Sequence, residues 1–307
     1  MVAFDPGRIH GSVPALVTPY TSSHAIDEAA IGRLVEHVIG GGAHGFNILG
    51  TTGEFALVPP AQRRIVLRAA SVANRGRVAM IVGCGRPSLV ETLEEVAEAA
   101  GHGADAVLVT PSYYLFLGAD EMRRQFGAIA RSTKTPIHFY NYPLLTKAVI
   151  APAVIAQLRA DGSIHGIKDS GGDAAFLARV LSLTREDPDF RVMVGGTAYF
   201  LAALALGAHG ATGAIGGVAP WIERAVYDAF RTGDLPRARL AQARLEAFQE
   251  IFGFTAEANA AIATKVALAS LGLCEEIPAE PFATLPAAQA QRIRQALPAF
   301  MTRVESP

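Results

Sequence analysis

Eight short apolar runs alternate with helical patterns along this chain, and that alternation limits its architecture more than any other feature. The runs are "VPALVT" (13–18), "GFNILG" (45–50), "VAMIVG" (78–83), "DAVLVT" (105–110), "PIHFYN" (136–141), "IHGIKD" (164–169), "RVMVGG" (191–196) and "GATGAI" (210–215). Most are apolar throughout, as parallel strands covered on both faces must be. Helical stripes lie between them. In "DEAAIGRLVEHVIGGG", Ile31, Leu34, Val35, Val38 and Ile39 fall at i, i+3, i+4, i+7 and i+8, and Gly40 to Gly42 end the helix. Ser88 with Glu91 forms a capping box before Leu93, Val96 and Ala97. Asp120 and Asp173 are placed to cap the helices carrying Met122, Phe126, Ile129 and Phe176, Leu177, Val180. Strand and helix repeating at about 25–30 residues predict an α/β fold, a (β/α)8 TIM barrel.

Such a barrel needs a large core, and half of the 307 residues are hydrophobic while only 18% are charged. The net charge of −1 supplies no field for nucleic acid or an anionic membrane surface. The stretch between Arg191 and Glu223 has no charged residue, a length that raises a membrane span. Its second half, "LGAHGATGAIGGVAP", is rich in glycine, so it reads as a buried helix, a turn and a buried strand. At the start, "MVAFDPGRIHGSVPALVTPY" lacks a basic region followed by an apolar one, and no signal peptide is read. Two cysteines, Cys84 and Cys274, argue against a disulfide framework or a Cys-based zinc site and suit a reducing cytoplasm. After "WIERAVYDAFRTG" an Ala-rich tail begins. Leu240, Leu245, Phe248 and Phe252 roughly share a helical face there, and "NAAIATKVALASLG" (259–272) reads as a second tail helix. The expected organisation is a catalytic barrel over 1–233 and a helical extension over 234–307 packed on it, since no polar linker separates them.

In such barrels the working groups lie where strands end at their C-termini. Those ends read Thr18, "GTTGEF" (50–55), Cys84, "TPSYY" (110–114), "YNYP" (140–143), "KDSGG" (168–172), "GGT" (195–197) and Thr212. Hydroxyls, tyrosines and one lysine converge, while the histidines scatter and make no metal cluster. An amine held among apolar strands is biased toward its neutral, nucleophilic form. Lys168 can then attack a ketone and form a Schiff base, whose protonated form withdraws electrons. The plainer alternative pairs Lys168 with Asp169 or turns it to solvent. In "GTTGEF", Gly50 and Gly53 permit a tight turn, and the amides of Thr51 and Thr52 opening a helix can hold a carboxylate. Glu54 is read as a brace. Tyr140 can shuttle a proton beside the amine, although a strand-end tyrosine also simply packs; Tyr113 and Tyr114 share that ambiguity.

In order and at barrel-repeat spacing, "VTPY", "GTTGEF", "VTPSYY", "YNYP" and "GIKDSGGD" resemble the dihydrodipicolinate synthase and N-acetylneuraminate lyase superfamily of class I, pyruvate-type aldolases. The resemblance spans nearly the whole chain. It implies that Lys168 forms the Schiff base and that Tyr140 is the general acid/base. Thr51 would relay a proton between Tyr140 and Tyr113, the latter reaching in from a neighbouring subunit. Thr52 and the two threonine amides would hold the pyruvyl carboxylate, with Ser170, Gly195 and Thr212 around the rest of the substrate. It implies no metal or organic cofactor, pyruvate and an aldehyde as small-molecule partners, and a homotetramer built as a dimer of dimers.

Departures bear on the substrate. Synthases of the dihydrodipicolinate precursor place an arginine shortly after "YN-x-P", whereas this chain has Leu144 and Leu145, with Lys147 beyond as a point charge rather than a bidentate fork. Sialate lyases carry an acidic pair where Thr197 and Ala198 stand. "GIKDSGGD" is similar to the lysine motif of 4-hydroxy-2-oxoglutarate and 2-keto-3-deoxy sugar acid aldolases. Phe55, Tyr142, Leu144 and Leu145 make the distal half dry enough for an aromatic or alkyl aldehyde. The leading expectation is therefore a lyase that cleaves or forms a 4-hydroxy-2-oxo acid, with pyruvate as the common product. The alternatives are 4-hydroxy-tetrahydrodipicolinate synthase, a keto-deoxy sugar acid dehydratase, and a silent barrel that senses keto acids. A flavin- or phosphate-binding barrel would use the glycines of "GGT" and "AIGGVAP".

Overall fold

The computed structural model describes residues 5–253 and 260–302. Eight parallel strands form the barrel: β1 Gly11–Ser12, β2 Gly45–Ile48, β3 Ala79–Cys84, β4 Ala106–Val109, β5 Ile137–Asn141, β6 Gly166–Asp169, β7 Arg191–Val194 and β8 Gly210–Ala211. From β2 to β8 each strand pairs with the next, and β1 pairs with β8. The first run departs from expectation: the ladder lies at residues 11–12, just before the expected 13–18, and within that run only Ala15 makes an isolated bridge, to Asn47. Pro14 has no N–H to continue a ladder. The chain beyond it still bridges both sides, with Ala15 N–H donating to Gly213 O at 2.9 Å and Leu16 N–H to Asn47 O at 2.8 Å. That bridge nearly closes the barrel.

Inside the apolar strands, parity assigns each side chain to a layer. Val13, Ala79, Ile81, Ala106, Leu108, Tyr140 and Met193 pack together in the lumen. Their strand neighbours Met80, Val82, Val107, Val109, Phe139, Val192 and Val194 join the larger core against the helices. At the opposite end from the "GTTGEF" loop, one device recurs on every second strand. The residue before each of β2, β4, β6 and β8 accepts a backbone N–H from the strand alongside. His44 Nδ1 takes Ser12 N–H at 3.2 Å, Asp105 takes Met80 N–H at 2.8 Å, His165 takes Ile137 N–H at 3.2 Å, and His209 takes Val192 N–H at 3.1 Å.

The helices start largely where the caps predict. Asp27 caps Glu28–Gly40, Ser88 caps Leu89–Gly101 and Asp173 caps Ala174–Thr184, each through its side chain. Asp120 does not cap. Gly118 holds the cap of Ala119–Ser132, so Asp120 lies in the first turn, where its charge meets the positive end of the dipole. The uncharged stretch folds as helix Phe200–Leu206 followed by β8, and among the described residues no helix is long and apolar enough to cross a membrane. The last barrel helix is Pro220–Arg231. Tail helices follow at Leu235–Glu250 and Ala260–Ser270; residue 259 of the expected second helix lies outside the described residues, as do 254–258 and 303–307 of the expected extension and 1–4 of the expected barrel. Leu245, Phe248 and Phe252 are buried, but Leu240 is 75% exposed. Five residues of α-helix turn it roughly 140° away from Leu245, off the shared face.

Candidate active site

Lys168 is the third residue of β6, in register with Tyr140 of β5. Both point into the lumen, and both are buried. The Lys168 Nζ lies 4.4 Å from the centre of the Tyr140 ring, and the Tyr140 hydroxyl meets Thr51 Oγ1 at 3.1 Å. An amine, a phenol and an alcohol thus form a continuous line at the barrel mouth. Space for the lysine comes from Gly195, where a Cβ would stand 3.2 Å from Lys168 Cε and would overlap Ser170 Oγ. Pairing with Asp169 does not occur. Strand parity turns Asp169 to the other face, where one carboxylate oxygen accepts from Asn141 Nδ2 at 2.8 Å and from Gly171 N–H at 3.0 Å. Burial raises the Asp169 carboxyl above its usual range, which those two hydrogen bonds oppose.

The "GTTGEF" loop is held under strain. Leu49 and Glu54, neither of them glycine, both take φ of 54°, a conformation that costs about 1 kcal/mol or more and needs support. Thr18 Oγ1 donates to Gly53 O at 2.6 Å, and Glu54 pairs with the fully buried Lys265 of the tail while accepting Ala279 N–H at 2.9 Å. Glu54 is thus a brace, as expected. The helix expected after Thr51 and Thr52 is only a 3-10 turn, Phe55–Leu57, and the α-helix waits until Pro60. A full helix dipole therefore does not back these amides. Among the described residues, neither amide donates to a protein acceptor, which leaves both to receive a carboxylate.

The remaining expected residues divide. Thr52, Ser170, Gly195 and Thr212 ring the mouth; Thr52 and Thr212 are buried, and Thr212 N–H donates to Val194 O at 2.7 Å. Tyr142 stacks obliquely 5.9 Å from Tyr140. Tyr113 does not join the Thr51–Tyr140 pair within one chain: its ring meets Phe55 edge-on at 6.4 Å, and burial raises its phenol's pKa. Tyr114 takes φ of 77° and is 90% exposed, with Leu115 and Phe116 exposed beside it. Three groups near the site escaped sequence reasoning. Glu95 takes Arg63 at 3.0 Å and Arg86 at 2.7 Å, and Arg86 donates to Ala56 O and Val58 O, tying the loop after β3 to the loop after β2. Asn141 orients Asp169. Glu223 lies fully buried behind β8; its only sequence signal is a lone carboxylate closing a long uncharged stretch.

Comparisons with known proteins identify the family. The sequence matches the Dihydrodipicolinate synthetase family over residues 8–300. It is 36% identical to the 4-hydroxy-tetrahydrodipicolinate synthase of Chelativorans sp., covering 94% of this chain and 97% of that protein. With the synthase of Hyphomonas neptunium it shares 34% identity over 86% of this chain and 89% of the other. Among solved structures, YagE of E. coli K12, a prophage protein of the dihydrodipicolinic acid synthase family in complex with pyruvate, superposes with a TM-score of 0.90 at 26% identity, covering 95% of this chain and 98% of its own. Fold, motif order and family match converge: the chain belongs to the dihydrodipicolinate synthetase family and is a class I, pyruvate-dependent lyase or aldolase.

Proposed function

We propose that this protein joins pyruvate to aspartate semialdehyde as a 4-hydroxy-tetrahydrodipicolinate synthase, through an imine on Lys168. The observation that carries the imine is the line of Lys168, Tyr140 and Thr51 in the dry mouth of the barrel. The Lys168 amine adds to the pyruvate carbonyl, and Tyr140 protonates the oxygen as it leaves as water. The resulting cation draws electrons from the adjacent carbon, whose proton passes to the Tyr140 phenolate left by the first step. The enamine attacks the aldehyde, whose oxygen takes up that proton. The amine of aspartate semialdehyde then adds to the C=N carbon, closing the ring and releasing Lys168. Thr52 and the amides of residues 51 and 52 hold the pyruvyl carboxylate, while Ser170, Gly195 and Thr212 bound the space for the second substrate. Thr51 passes the proton onward to a tyrosine of a neighbouring copy. Tyr113 is the expected residue, and the outward Tyr114 competes for that role, because its side chain is free to enter a partner. A neighbouring tyrosine requires at least a dimer; we propose a homotetramer built as a dimer of dimers, which sedimentation velocity tests. The buried free thiols of Cys84 and Cys274 support a cytoplasmic setting.

Identities of 33–36% to synthases put this activity ahead of the 4-hydroxy-2-oxo acid lyase favoured by the motifs alone. The lyase remains as a second reading on one observation. Leu144 and Leu145 stand half-exposed after "YNYP", and Lys147 follows in a left-handed turn, so no guanidinium fork waits there for a second carboxylate. Borohydride reduction with pyruvate, read by peptide mass, tests the imine: an adduct on Lys168 is expected, and an unchanged mass overturns it. Turnover of pyruvate with aspartate semialdehyde, set against cleavage of 4-hydroxy-2-oxoglutarate and keto-deoxy sugar acids, decides between the two readings.

A further inference from the structure

Glu223 lies in the first turn of helix Pro220–Arg231, with its carboxyl group sealed from solvent. One oxygen accepts from Ser12 Oγ of β1 at 2.9 Å, and the other, Oε1, has no hydrogen-bond partner among the described residues. The turn after β8 is glycine where the carboxylate lies. A Cβ at Gly213 would approach Oε1 to 3.0 Å, and one at Gly216 would stand 2.5 Å from the carboxyl carbon. The same Gly213 position is 3.7 Å from Gly195 O, at the end of β7 where Lys168 finds its space. Burying an anion with an oxygen unclaimed is unfavourable unless a charge offsets it. Burial pushes the Glu223 carboxyl up to about 7, against the pull of the Ser12 hydrogen bond, the nearby Gly216 backbone amide and the positive charge of Lys168.

Among the described residues, other charges around Glu223 are engaged elsewhere or absent. On its own helix, Arg224 bonds Asp228 and Gly42 O. On the β1 side, His44 accepts the Ser12 amide, and burial holds that imidazole down at about 4, so it is neutral. The turn over 212–217 and helix Phe200–Leu206 contain no charged residue. Helix Leu235–Glu250 sends Gln242 and Gln249 to the β7 loop, and Gln242 also takes up Glu246 at 3.0 Å.

We infer that Glu223 is a positioning residue for the chemistry at Lys168: its carboxylate, behind the β8 wall, balances the nitrogen when that nitrogen becomes a cation. The inference rests on the imine reading. Condensation expels the ketone oxygen as water and leaves one proton on a C=N nitrogen, which is positive; no proton passes between it and Glu223, which acts through its field alone. Glu223→Gln keeps the volume and removes the charge. The rate of borohydride trapping with pyruvate, followed against pH, reads the effect at the nitrogen itself. Without the anion the ammonium is less favoured, so the acid-side midpoint moves down by roughly 0.5–1 pH unit, and turnover slows. Ser12→Ala removes a donor that favours the carboxylate and moves the midpoint the same way by less; it decides the matter if the Gln variant does not fold. An adduct that forms with an unmoved midpoint overturns this role alone and leaves Glu223 a packing residue. No adduct in the wild-type protein overturns the imine along with it.

Discussion

A shift of one residue along β6 would carry the Lys168 amine out of the lumen and into the layer that holds Ile167 and Asp169. The residue before and after the lysine therefore matter as much as the lysine, and both were legible: the run "GIKD" ends a strand, and strand ends face the mouth. Lys168→Ala removes the amine from a site that already contains Gly195, so the fold has little to lose. Turnover is expected to vanish while the circular dichroism spectrum and the thermal midpoint stay near wild type; substantial residual turnover would remove the lysine from the mechanism. Tyr140→Phe deletes one hydroxyl, the one that meets Thr51 at 3.1 Å, and keeps the ring beneath Nζ. A slowing of about 10²–10⁴ in kcat is expected for a lost acid/base group, and an unchanged rate would make Tyr140 a packing residue. What sequence could not show at this scale is direction. Nothing in "WIERAV" tells that Glu223 turns inward to Ser12, because the distance in sequence is long and the residue type is ordinary for a solvated helix start.

Strand order was readable because eight apolar runs with intervening stripes allow few other arrangements, whereas parity was not, since runs apolar on both faces carry no alternation; β1 was misplaced, its ladder lying just before Pro14 and not after it. The cap device at the base of the barrel was not readable at all. His44, His165 and His209 look like scattered histidines, yet each accepts a backbone N–H from the neighbouring strand. An imidazolium cannot accept at the nitrogen that must carry its proton. Burial holds His44 and His209 down at about 4, and lowers His165 as well. A folded pKa below the unfolded value of about 6.5 means that protons favour the unfolded chain. Stability from these caps is thus complete above that pH and is lost as pH falls from there toward 4. Glu223, raised to about 7, works the opposite way over the same range, so the clean observable is a difference. In a His165→Asn, His209→Asn variant the Oδ1 atom falls close to where Nδ1 was and accepts without titrating. Between pH 7 and 5 its unfolding temperature is expected to fall less steeply than that of the wild-type protein; parallel slopes would show that these rings do not carry the dependence.

Taken whole, the molecule joins its tail to its mouth. We propose that the boundary near residue 233 marks a change of architecture and not of folding unit. That tail helices exist was legible from their apolar residues, but their docking was not, because Lys265 and Glu54 stand 211 residues apart. Both side chains are almost completely buried, the Lys265 ammonium also donates to Ile277 O at 2.8 Å, and it lies 4.7 Å from the Tyr20 ring. The pair secures a left-handed Glu54 in the loop that carries Thr51 and Thr52, so a tail residue acts on the carboxylate end of the site without touching it. Removing one member of a buried pair leaves the other uncompensated, at a cost of about 3–5 kcal/mol, whereas neutralising both is far milder. Lys265→Met is accordingly expected to lower the urea midpoint sharply and to weaken pyruvate binding, as the strained loop relaxes. Glu54→Gln with Lys265→Met should recover much of the stability but less of the binding, since the loop regains neutrality without its anchor. A tail that merely decorated the barrel would leave pyruvate binding untouched in both variants, and equal stability losses in the two would show that charge is not what ties the tail to the loop.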